Sequence, residues 1–414
     1  ACMRSSSQSL PLEQRRALAA IVAALRTMAS LANHGWYYAG VPAAVKPRAA
    51  AIFEMRSMDM PEVKDGMILT RLAAIAVAPL ARTYLELPGN DTGAEELGLK
   101  RTQLGEVVPC EAVAVVVETK SKKYKVGDRV WLPFNPLVEY SAHRDDGKDN
   151  PGGMAPTKLL PFVRAESQLT VLSPAAGVTA YCARNHPCGR AVEGGMKSCL
   201  AGLAGLLGFR SDRAEKAVLV TSAAGAVGVV AGQLYKNQGC RVIGVTSSKE
   251  KADRLVEEIG YDAAVAYKSE DLDARLGELA PQGFDVFLDN VGAQQLDVGT
   301  KHMKVGGKIL SVGCMSEVDN FATGDITGFK QYHRVPAREL TFGGFLMYNH
   351  IAEVPGAMLS LGMLLWRGKV KSVETLVHGS FEKWAECVDR VYDSETFGRL
   401  ILLNDEAQGT AIGA

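Results

Sequence analysis

The spacing of apolar residues changes along the chain, and its first part is helical. Residues 11–32 carry apolar side chains at helical spacing, namely Leu18, Ile21, Val22, Leu25, Met28, Ala29 and Ala32. Pro11 suits the first turn of such a helix, and Asn33 with Gly35 supplies a stop signal. We therefore predict an extra N-terminal amphipathic helix, within an extension over residues 1–55.

From residue 66 onward, short runs rich in β-branched residues predict strands. These runs occupy residues 67–72, 73–77 and 111–118, and a further strand follows the Gly-Asp turn at 127–128. Residues 141–158 are polar and rich in Gly, Pro and Asp, which predicts a long surface loop with a solvated His143. The front of the chain is therefore expected to be β-rich.

The second half alternates between strands and helices. Residues 217–220 form an apolar strand, a glycine-containing turn follows, and an apolar helix over 229–237 ends at Gly239. Four more apolar runs predict strands at 241–245, 263–267, 284–292 and 307–313. Continuous apolar strands that alternate with helices are typical of a doubly wound parallel sheet.

The turn after the first of these strands predicts a dinucleotide site. Gly225 allows the backbone to approach a pyrophosphate and Gly228 allows close helix–strand contact, with Ala223 where a first glycine usually stands. The free N–H groups and the dipole of the helix that starts around Ala226 and Val227 attract the diphosphate. The string alone also suits a simple contact between small residues, but the strand–turn–helix–strand order favours the dinucleotide.

The end of the second strand favours NADP over NAD. An NAD site normally has an Asp or Glu there, whereas this chain has TSSKEK at 246–251, whose hydroxyls and lysines accept a 2′-phosphate. The alternative is an ordinary helix start, with Ser248 as its N-cap and Lys251 solvated. Ligands lie beyond the carboxyl ends of parallel strands, so Asn290 and Gly313 should border the cofactor.

Composition and charge exclude several classes of function. The 414 residues include 46 Lys+Arg and 46 Asp+Glu, and this zero net charge argues against a nucleic-acid partner. The eight cysteines include no Cys-x-x-Cys pair, so we expect neither a zinc site nor a disulfide scaffold. The run near the start, residues 17–25, is shorter than the ~20 residues that cross a bilayer.

The first 53 residues are basic, with six Lys or Arg against the single acidic residue Glu13. An Arg-rich, Ser-containing amphipathic segment is typical of an organellar transit peptide. The alternative is a retained helix that docks on the body of the protein or on a larger assembly. We expect a mitochondrial or plastid location rather than a cytoplasmic one.

Seven short motifs follow one another in the larger part of the chain. They are GVTAY at 177–181, AAGAVG at 223–228, GCRV at 239–242, SKEK at 248–251, AYK at 266–268, LDNVG at 288–292 and GGFL at 343–346. In this order the chain resembles the zinc-independent medium-chain dehydrogenase/reductase superfamily. Within it, the chain is similar to the branch of prostaglandin reductases, plant alkenal double-bond reductases and quinone oxidoreductase-like proteins.

The resemblance implies an α/β fold made of two domains. A GroES-like β-rich catalytic domain would come from residues 56–175 and 326–414, with a Rossmann domain over 176–325 inserted between them. It also implies a homodimer that forms through the edges of the Rossmann sheets.

The resemblance also implies roles for individual residues. Lys251 and Tyr267 would meet the 2′-phosphate of NADP, Asn290 would lie by the cofactor, and Phe345 to Met347 would line the nicotinamide. The reaction would be hydride delivery to the β-carbon of an α,β-unsaturated carbonyl, without a metal.

The chain departs from this family at two tyrosine positions. APLAR at 78–82 has Leu80 where the family has a tyrosine, and SEVDN at 316–320 has no tyrosine before its Asn. Tyr348 or Tyr181 could supply the missing catalytic hydroxyl, and ordinary packing is the alternative for each.

Two other functions therefore stay open. One is a quinone oxidoreductase of the same superfamily, which would share the cofactor site. The other is a non-catalytic subunit of a large organellar assembly that keeps the NADP-binding fold. The extra Gly/Leu-rich run at 200–209 favours the second.

Overall fold

A computed structural model describes residues 32–40, 48–79, 85–86, 101–160, 163–191, 215–317, 320 and 326–408. Apart from residue 32, the predicted N-terminal helix lies outside the described residues, as do Leu80 and the run 200–209. The helix and the organellar location inferred from this segment therefore stay predictions.

Fifteen strands and eleven α-helices make up the regular structure of the described chain. The strands are β1 (Asn33–Tyr38), β2 (Phe53–Met58), β3 (Met67–Val77), β4 (Pro109–Thr119), β5 (Arg129–Pro136), β6 (Tyr140–Arg144), β7 (Thr157–Lys158), β8 (Ala217–Val220), β9 (Arg241–Thr246), β10 (Ala263–Ala266), β11 (Phe284–Asp289), β12 (Met303–Ser311), β13 (Thr341–Gly344), β14 (Glu374–Gly379) and β15 (Arg399–Asn404). The helices are α1 (Ala49–Ile52), α2 (Ala165–Thr170), α3 (Thr179–Asn185), α4 (Ala226–Lys236), α5 (Lys249–Arg254), α6 (Leu272–Leu279), α7 (Ala293–Lys301), α8 (Arg334–Ala337), α9 (Val354–Trp366), α10 (Trp384–Tyr392) and α11 (Asp405–Gln408). Two π-helical turns, Pro174–Val178 and Leu255–Ile259, and the 3-10 helices Pro151–Gly153, Met347–Glu353 and Phe381–Lys383 complete the set.

The β-rich domain draws its strands from two distant parts of the chain. Its seven-stranded sheet has the order β14-β15-β3-β4-β5-β7, and β6 pairs with β3. The two predicted strands at 67–72 and 73–77 form the single long strand β3. The antiparallel pairing of β15 with β3 joins the C-terminal part of the chain to the front part.

The first two strands pack onto this β-rich domain. The backbone N–H of Trp36 donates to the Leu137 carbonyl (3.0 Å), and the rings of Trp36 and Trp384 lie 5.5 Å apart. Asn33 and Gly35, which were expected to end a helix, lie in β1. The described residues of the expected extension, 33–40 and 48–55, therefore contribute Trp36, Tyr38, Ile52 and Phe53 to the core of this domain.

The second sheet has six parallel strands in the order β10-β9-β8-β11-β12-β13, which confirms the predicted doubly wound sheet. Side chains of β8 alternate between two cores: Val218 and Val220 pack with α4, and Leu219 packs with α6 and α7. The sixth strand lies after residue 325, so the sheet extends past the expected boundary. The outer edge of β13 pairs with no other strand of the described chain, and the predicted homodimer stays a prediction.

The predicted surface loop at 141–158 is partly wrong. Its first residues belong to β6, which pairs with β3 over Tyr140–Arg144, and His143 is buried (2% exposed) rather than solvated. The Ser141 hydroxyl lies 2.8 Å from Nε2 of His143, and it also contacts Asn135 and Thr70. The Gly- and Asp-rich composition concealed a short strand whose alternate side chains face the core.

No helix in the described part of the chain is long and apolar enough to cross a membrane.

The buried His143 predicts a specific loss of stability in mild acid. Burial lowers the pKa of His143 from 6.5 to about 4. In the unfolded chain His143 therefore becomes protonated below pH 6.5, whereas in the folded chain it stays neutral down to about pH 4. Above pH 6.5 the free energy of unfolding is not reduced by this group. As the pH falls towards 4, protonation of His143 in the unfolded chain lowers the free energy of unfolding by up to about 3 kcal/mol.

Urea unfolding between pH 7 and pH 4 measures this effect. As the pH is lowered, the free energy of unfolding of His143→Gln should decrease less steeply than that of the unchanged protein. The exposed His333 provides the control, because His333→Gln removes a histidine that is not buried and should keep the original slope. Equal slopes for His143→Gln and the unchanged protein would contradict a buried neutral histidine.

Candidate functional site

The candidate site lies at the carboxyl edge of the parallel sheet, where the strand order changes direction. β8 and β11 are neighbours there, although their connections run to opposite sides of the sheet. Loops that leave such neighbouring strands diverge and open a crevice, which is the usual ligand position in a doubly wound sheet. Here the loop after β8 is the predicted glycine turn.

The glycines of this turn are required by close backbone contacts. A Cβ atom on Gly228 would lie 2.4 Å from the carbonyl oxygen of Ser222, and a Cβ atom on Gly225 would lie 2.9 Å from the Ser222 hydroxyl oxygen. Ser222 itself has a positive φ of 48°. Helix α4 therefore starts in direct contact with the turn, as the positions of the two glycines predicted.

Ala223 replaces the usual first glycine without disturbing the turn. It is fully buried, and its N–H donates to the Val245 carbonyl (2.9 Å), which ties the turn to β9. The opposing residue is Gly244, where a Cβ atom would lie 2.8 Å from the Ala223 methyl carbon. A glycine on the neighbouring strand thus makes room for the alanine.

The start of α4 offers donors to an anion. Ala226, Val227 and Gly228 occupy its first turn, and N–H groups there have no acceptor within a helix. The dipole of this 11-residue helix adds positive potential at the same end. Backbone donors, a close-packed glycine turn and the dipole together suit a diphosphate.

A buried hydrogen-bond network fixes the crevice between β8 and β11. The Thr221 hydroxyl donates to Asp289 (2.8 Å), and the Asn290 side-chain amide donates to the Thr221 carbonyl (2.8 Å). Burial raises the pKa of Asp289, although donors from Gly292 and Thr221 oppose this effect. Gly313 packs so closely that a Cβ atom would lie 2.9 Å from the Asn290 carbonyl oxygen. The structure therefore brings Asn290 and Gly313 together at the crevice.

The residues predicted to bind the 2′-phosphate, Ser248, Lys251 and Tyr267, lie just after the ends of β9 and β10. Ser248 caps α5, where its hydroxyl accepts from the Lys251 N–H (3.4 Å). Tyr267 follows β10, and its N–H donates to the Thr246 carbonyl (3.0 Å) at the end of β9. Burial lowers the pKa of the Lys251 ammonium, and the neighbouring cation Lys268 lowers it further. A half-buried ammonium beside a second lysine is a suitable place for an additional phosphate.

A loop of the β-rich domain completes the site. The Lys251 Nζ donates to the Ser394 carbonyl, and the Arg254 guanidinium lies 3.9 Å from the centre of the Phe397 ring. The Gly398 N–H donates to the Ala224 carbonyl (2.8 Å), directly in the glycine turn. No pattern in the sequence indicates these contacts, because the loop lies more than 140 residues along the chain from Lys251.

The predicted nicotinamide-lining stretch follows the sixth strand of the sheet. The Phe345 N–H donates to the Ser311 carbonyl at the end of β12 (2.9 Å), and Met347 packs against the same core as Phe345. The His350 ring stacks on Phe345 with centroids 4.6 Å apart, and its Nδ1 lies 2.7 Å from the Glu353 carboxylate. Tyr348 is half-buried and belongs to the 3-10 helix Met347–Glu353, which also contains His350.

Two family models match the chain. The one described as "N-terminal domain of oxidoreductase" matches residues 37–147, and the one described as "Zinc-binding dehydrogenase" matches residues 226–362. These matches cover the front part of the β-rich domain and most of the parallel sheet.

Curated relatives match over a larger share of the chain. Prostaglandin reductase 1 of Oryctolagus cuniculus is 30% identical over 351 residues, which cover 84% of this chain and 87% of the relative. The chain belongs to the zinc-independent medium-chain dehydrogenase/reductase family. The 2-alkenal reductase (NADP(+)-dependent) of Nicotiana tabacum is 29% identical over 280 residues, or 66% of this chain and 71% of the relative.

The fold agrees with that of solved structures. The crystal structure of CurA in complex with NADPH from Vibrio vulnificus has a TM-score of 0.71 and 20% identity, and it covers 90% of this chain and 99% of CurA. The predicted combination of a β-rich domain with a Rossmann-like parallel sheet is thus confirmed.

The two candidate catalytic tyrosines of this reductase-family chain have different surroundings. The Tyr181 ring lies under the Arg184 guanidinium, 4.9 Å from ring centre to Cζ, on helix α3. Tyr348 directly follows the stretch at Phe345 to Met347. The structure therefore gives the Tyr181 ring a packing contact, and both tyrosines stay candidates for the catalytic hydroxyl.

The structure describes only part of the two segments that lack the family tyrosine. Leu80 lies outside the described residues, and so do residues 318–319 of the second segment. The neighbouring Glu317 is buried, and its carboxylate accepts from the Asn320 side chain (3.0 Å) and the Thr327 N–H (3.2 Å). A buried carboxylate therefore anchors the segment after β12.

Within the described ranges, no group of three or more His, Cys, Asp or Glu side chains is arranged to hold a metal ion. The six described cysteines are all unpaired thiols, and burial raises the pKa of each.

Proposed function

We propose that this protein uses NADPH to reduce the carbon–carbon double bond of α,β-unsaturated carbonyl compounds, that is, enals and enones. The observation that carries the proposal is the glycine turn at the start of α4, with Lys251 on the helix after the neighbouring strand β9. The chain is also 30% identical to a prostaglandin reductase. The named activity of the tobacco relative, which is an alkenal reductase, supports the same class of substrate.

The chain is an NADP-dependent oxidoreductase, and its crevice fits the cofactor. The N–H groups of Ala226, Val227 and Gly228 would hold the diphosphate, because they lie at the start of α4. Any side chain at Gly228 would collide with the turn, so this position requires glycine. Asn290 and Gly313 would border the nicotinamide half of the crevice. These positions follow one edge of the sheet, so an extended dinucleotide can contact all of them.

The 2′-phosphate would bind at the ends of β9 and β10. The Ser248 hydroxyl accepts one backbone N–H and still has its own proton to donate. Lys251 and Lys268 supply positive charge, and Tyr267 lies next to Lys268. Lys251 donates one of its three ammonium protons to the Ser394 carbonyl, so a bound phosphate could share this ammonium with the β-rich domain.

NADPH supplies a hydride when it is bound, and the chain must orient the substrate and stabilise an enolate. Reduction places the hydride on the β-carbon, and a proton then adds to the α-carbon. We assign the hydroxyl that assists this step to Tyr348, because this residue directly follows the stretch that would line the nicotinamide. Phe345 and Met347 would form an apolar wall that keeps water away from the reacting carbon.

A panel of substrates tests the proposed reaction. With NADPH, the protein should reduce medium-chain enals and enones with turnover, and quinones at least about tenfold less efficiently in kcat/KM. The measurement is NADPH oxidation by absorbance, with identification of the saturated carbonyl product. Preferential quinone turnover would instead identify a quinone oxidoreductase, and NADPH binding without turnover would identify an accessory subunit.

A lysine substitution tests the phosphate site separately. Lys251→Ala should weaken NADPH binding by about tenfold or more, because a charge-assisted hydrogen bond to phosphate is lost, and should change NADH binding little. Lys249→Ala is the matched control on the same helix, since that side chain is exposed and pairs with Asp253. Fluorescence titration with both cofactors measures the dissociation constants. Equal losses for NADPH and NADH would refute the assignment.

A further inference from the structure

Helix α9 has an apolar outer face that the rest of the described chain leaves uncovered. Leu359, Met363 and Trp366 follow one another at helical spacing and are 68%, 46% and 80% exposed, and Ile351, just before the helix, is 62% exposed. We call these four side chains the α9 stripe. Isolated exposed apolar residues are common, but a continuous stripe of this kind marks an interaction surface.

The opposite face of α9 explains why the helix is held in place. Ala357 and Leu361 are buried in the core shared with the parallel sheet, and Met358 packs between that core and the core of the β-rich domain. No charged residue occurs from Val354 to Trp366. The helix is therefore apolar on both sides, whereas one buried face would need only half of these residues.

The charges at the C-terminal end of the stripe are positive, whereas Glu353 at its N-terminal end pairs with His350. Arg367 and Lys369 follow the helix, are exposed, and have no ion-pair partner within the described part of the chain. Lys371 donates to the Glu258 carbonyl, and the Glu258 carboxylate pairs with Arg254. Between Val354 and Val373 there is no acidic residue at all. The C-terminal end of the stripe thus presents unneutralised positive charge.

We propose that the α9 stripe docks this protein on a membrane surface that carries anionic lipid headgroups. Leu359 and Met363 would enter the boundary between headgroups and acyl chains, with Trp366 at the level of the headgroups. Arg367 and Lys369 would contact the lipid phosphates and carboxylates. The proposal concerns attachment to a surface and does not depend on the proposed reaction.

The size of the stripe favours a membrane over a second copy of the chain. A stable protein–protein interface takes roughly 20–30 residues on each side, whereas the stripe offers four apolar side chains on a helix about 20 Å long. Shallow insertion into a lipid surface needs only a short apolar face and flanking cations. The charge pattern and the area therefore agree on the same occupant.

Trp366 is a built-in reporter for the test. The other three tryptophans, Trp36, Trp131 and Trp384, are at most 8% exposed, so only Trp366 can change its surroundings on docking. Vesicles of phosphatidylcholine with phosphatidylserine should shift the tryptophan emission of the full chain to shorter wavelength. The protein should also sediment together with these vesicles. Vesicles of phosphatidylcholine alone should do so weakly, and added salt should weaken the binding.

Two double variants separate the apolar and the charged contributions. Leu359→Ser with Met363→Ser should lower vesicle partitioning by about tenfold or more, and Arg367→Gln with Lys369→Gln should lower it by about tenfold on anionic vesicles only. Val305→Ser and Lys122→Gln remove an exposed apolar side chain and an exposed cation elsewhere, and they should leave binding unchanged. Trp366→Phe should remove the emission shift while binding persists.

Several results would overturn the proposal. One is the absence of binding to anionic vesicles by the unchanged protein. Another is vesicle binding that both double variants retain in full, since it would then come from another part of the chain. A third is self-association in sedimentation experiments that the serine variant abolishes without any vesicle binding, which would assign the stripe to a second copy.

Discussion

The contact between helix α4 and the turn before it is the constraint on which the site depends. Gly228 lies so close to the Ser222 carbonyl that no side chain fits between them, and this contact holds the first turn of α4 against the sheet. Asp289 of the neighbouring strand β11 fixes the turn by accepting from Thr221, and Gly398 fixes it from the β-rich domain. Both domains therefore determine where the free N–H groups of α4 point.

The parts of this site that sequence reasoning predicted are local. A strand, a glycine turn and a helix lie within about twenty residues, so Gly225, Gly228 and the start of α4 could be placed from spacing alone. The contact of Lys251 with Ser394 could not, because it joins two domains through a backbone carbonyl that any residue would supply. His143 was misjudged for a different reason: its strand is only five residues long and is followed by a Gly- and Asp-rich turn.

The shared use of Lys251 links cofactor binding to the arrangement of the domains. Its ammonium joins the parallel sheet to the loop of Ser394, and burial together with Lys268 lowers its pKa. An additional phosphate at this place would satisfy both lysines, which explains why a chain without a carboxylate at the end of β9 favours NADP.

A crystal structure of the protein grown with NADP+ tests the proposed binding site most directly. We predict that the diphosphate lies against the N–H groups of Ala226, Val227 and Gly228, with the 2′-phosphate within hydrogen-bond distance of Lys251 Nζ. A diphosphate bound away from this helix, or a crevice filled by side chains that leave no room for it, would contradict the account.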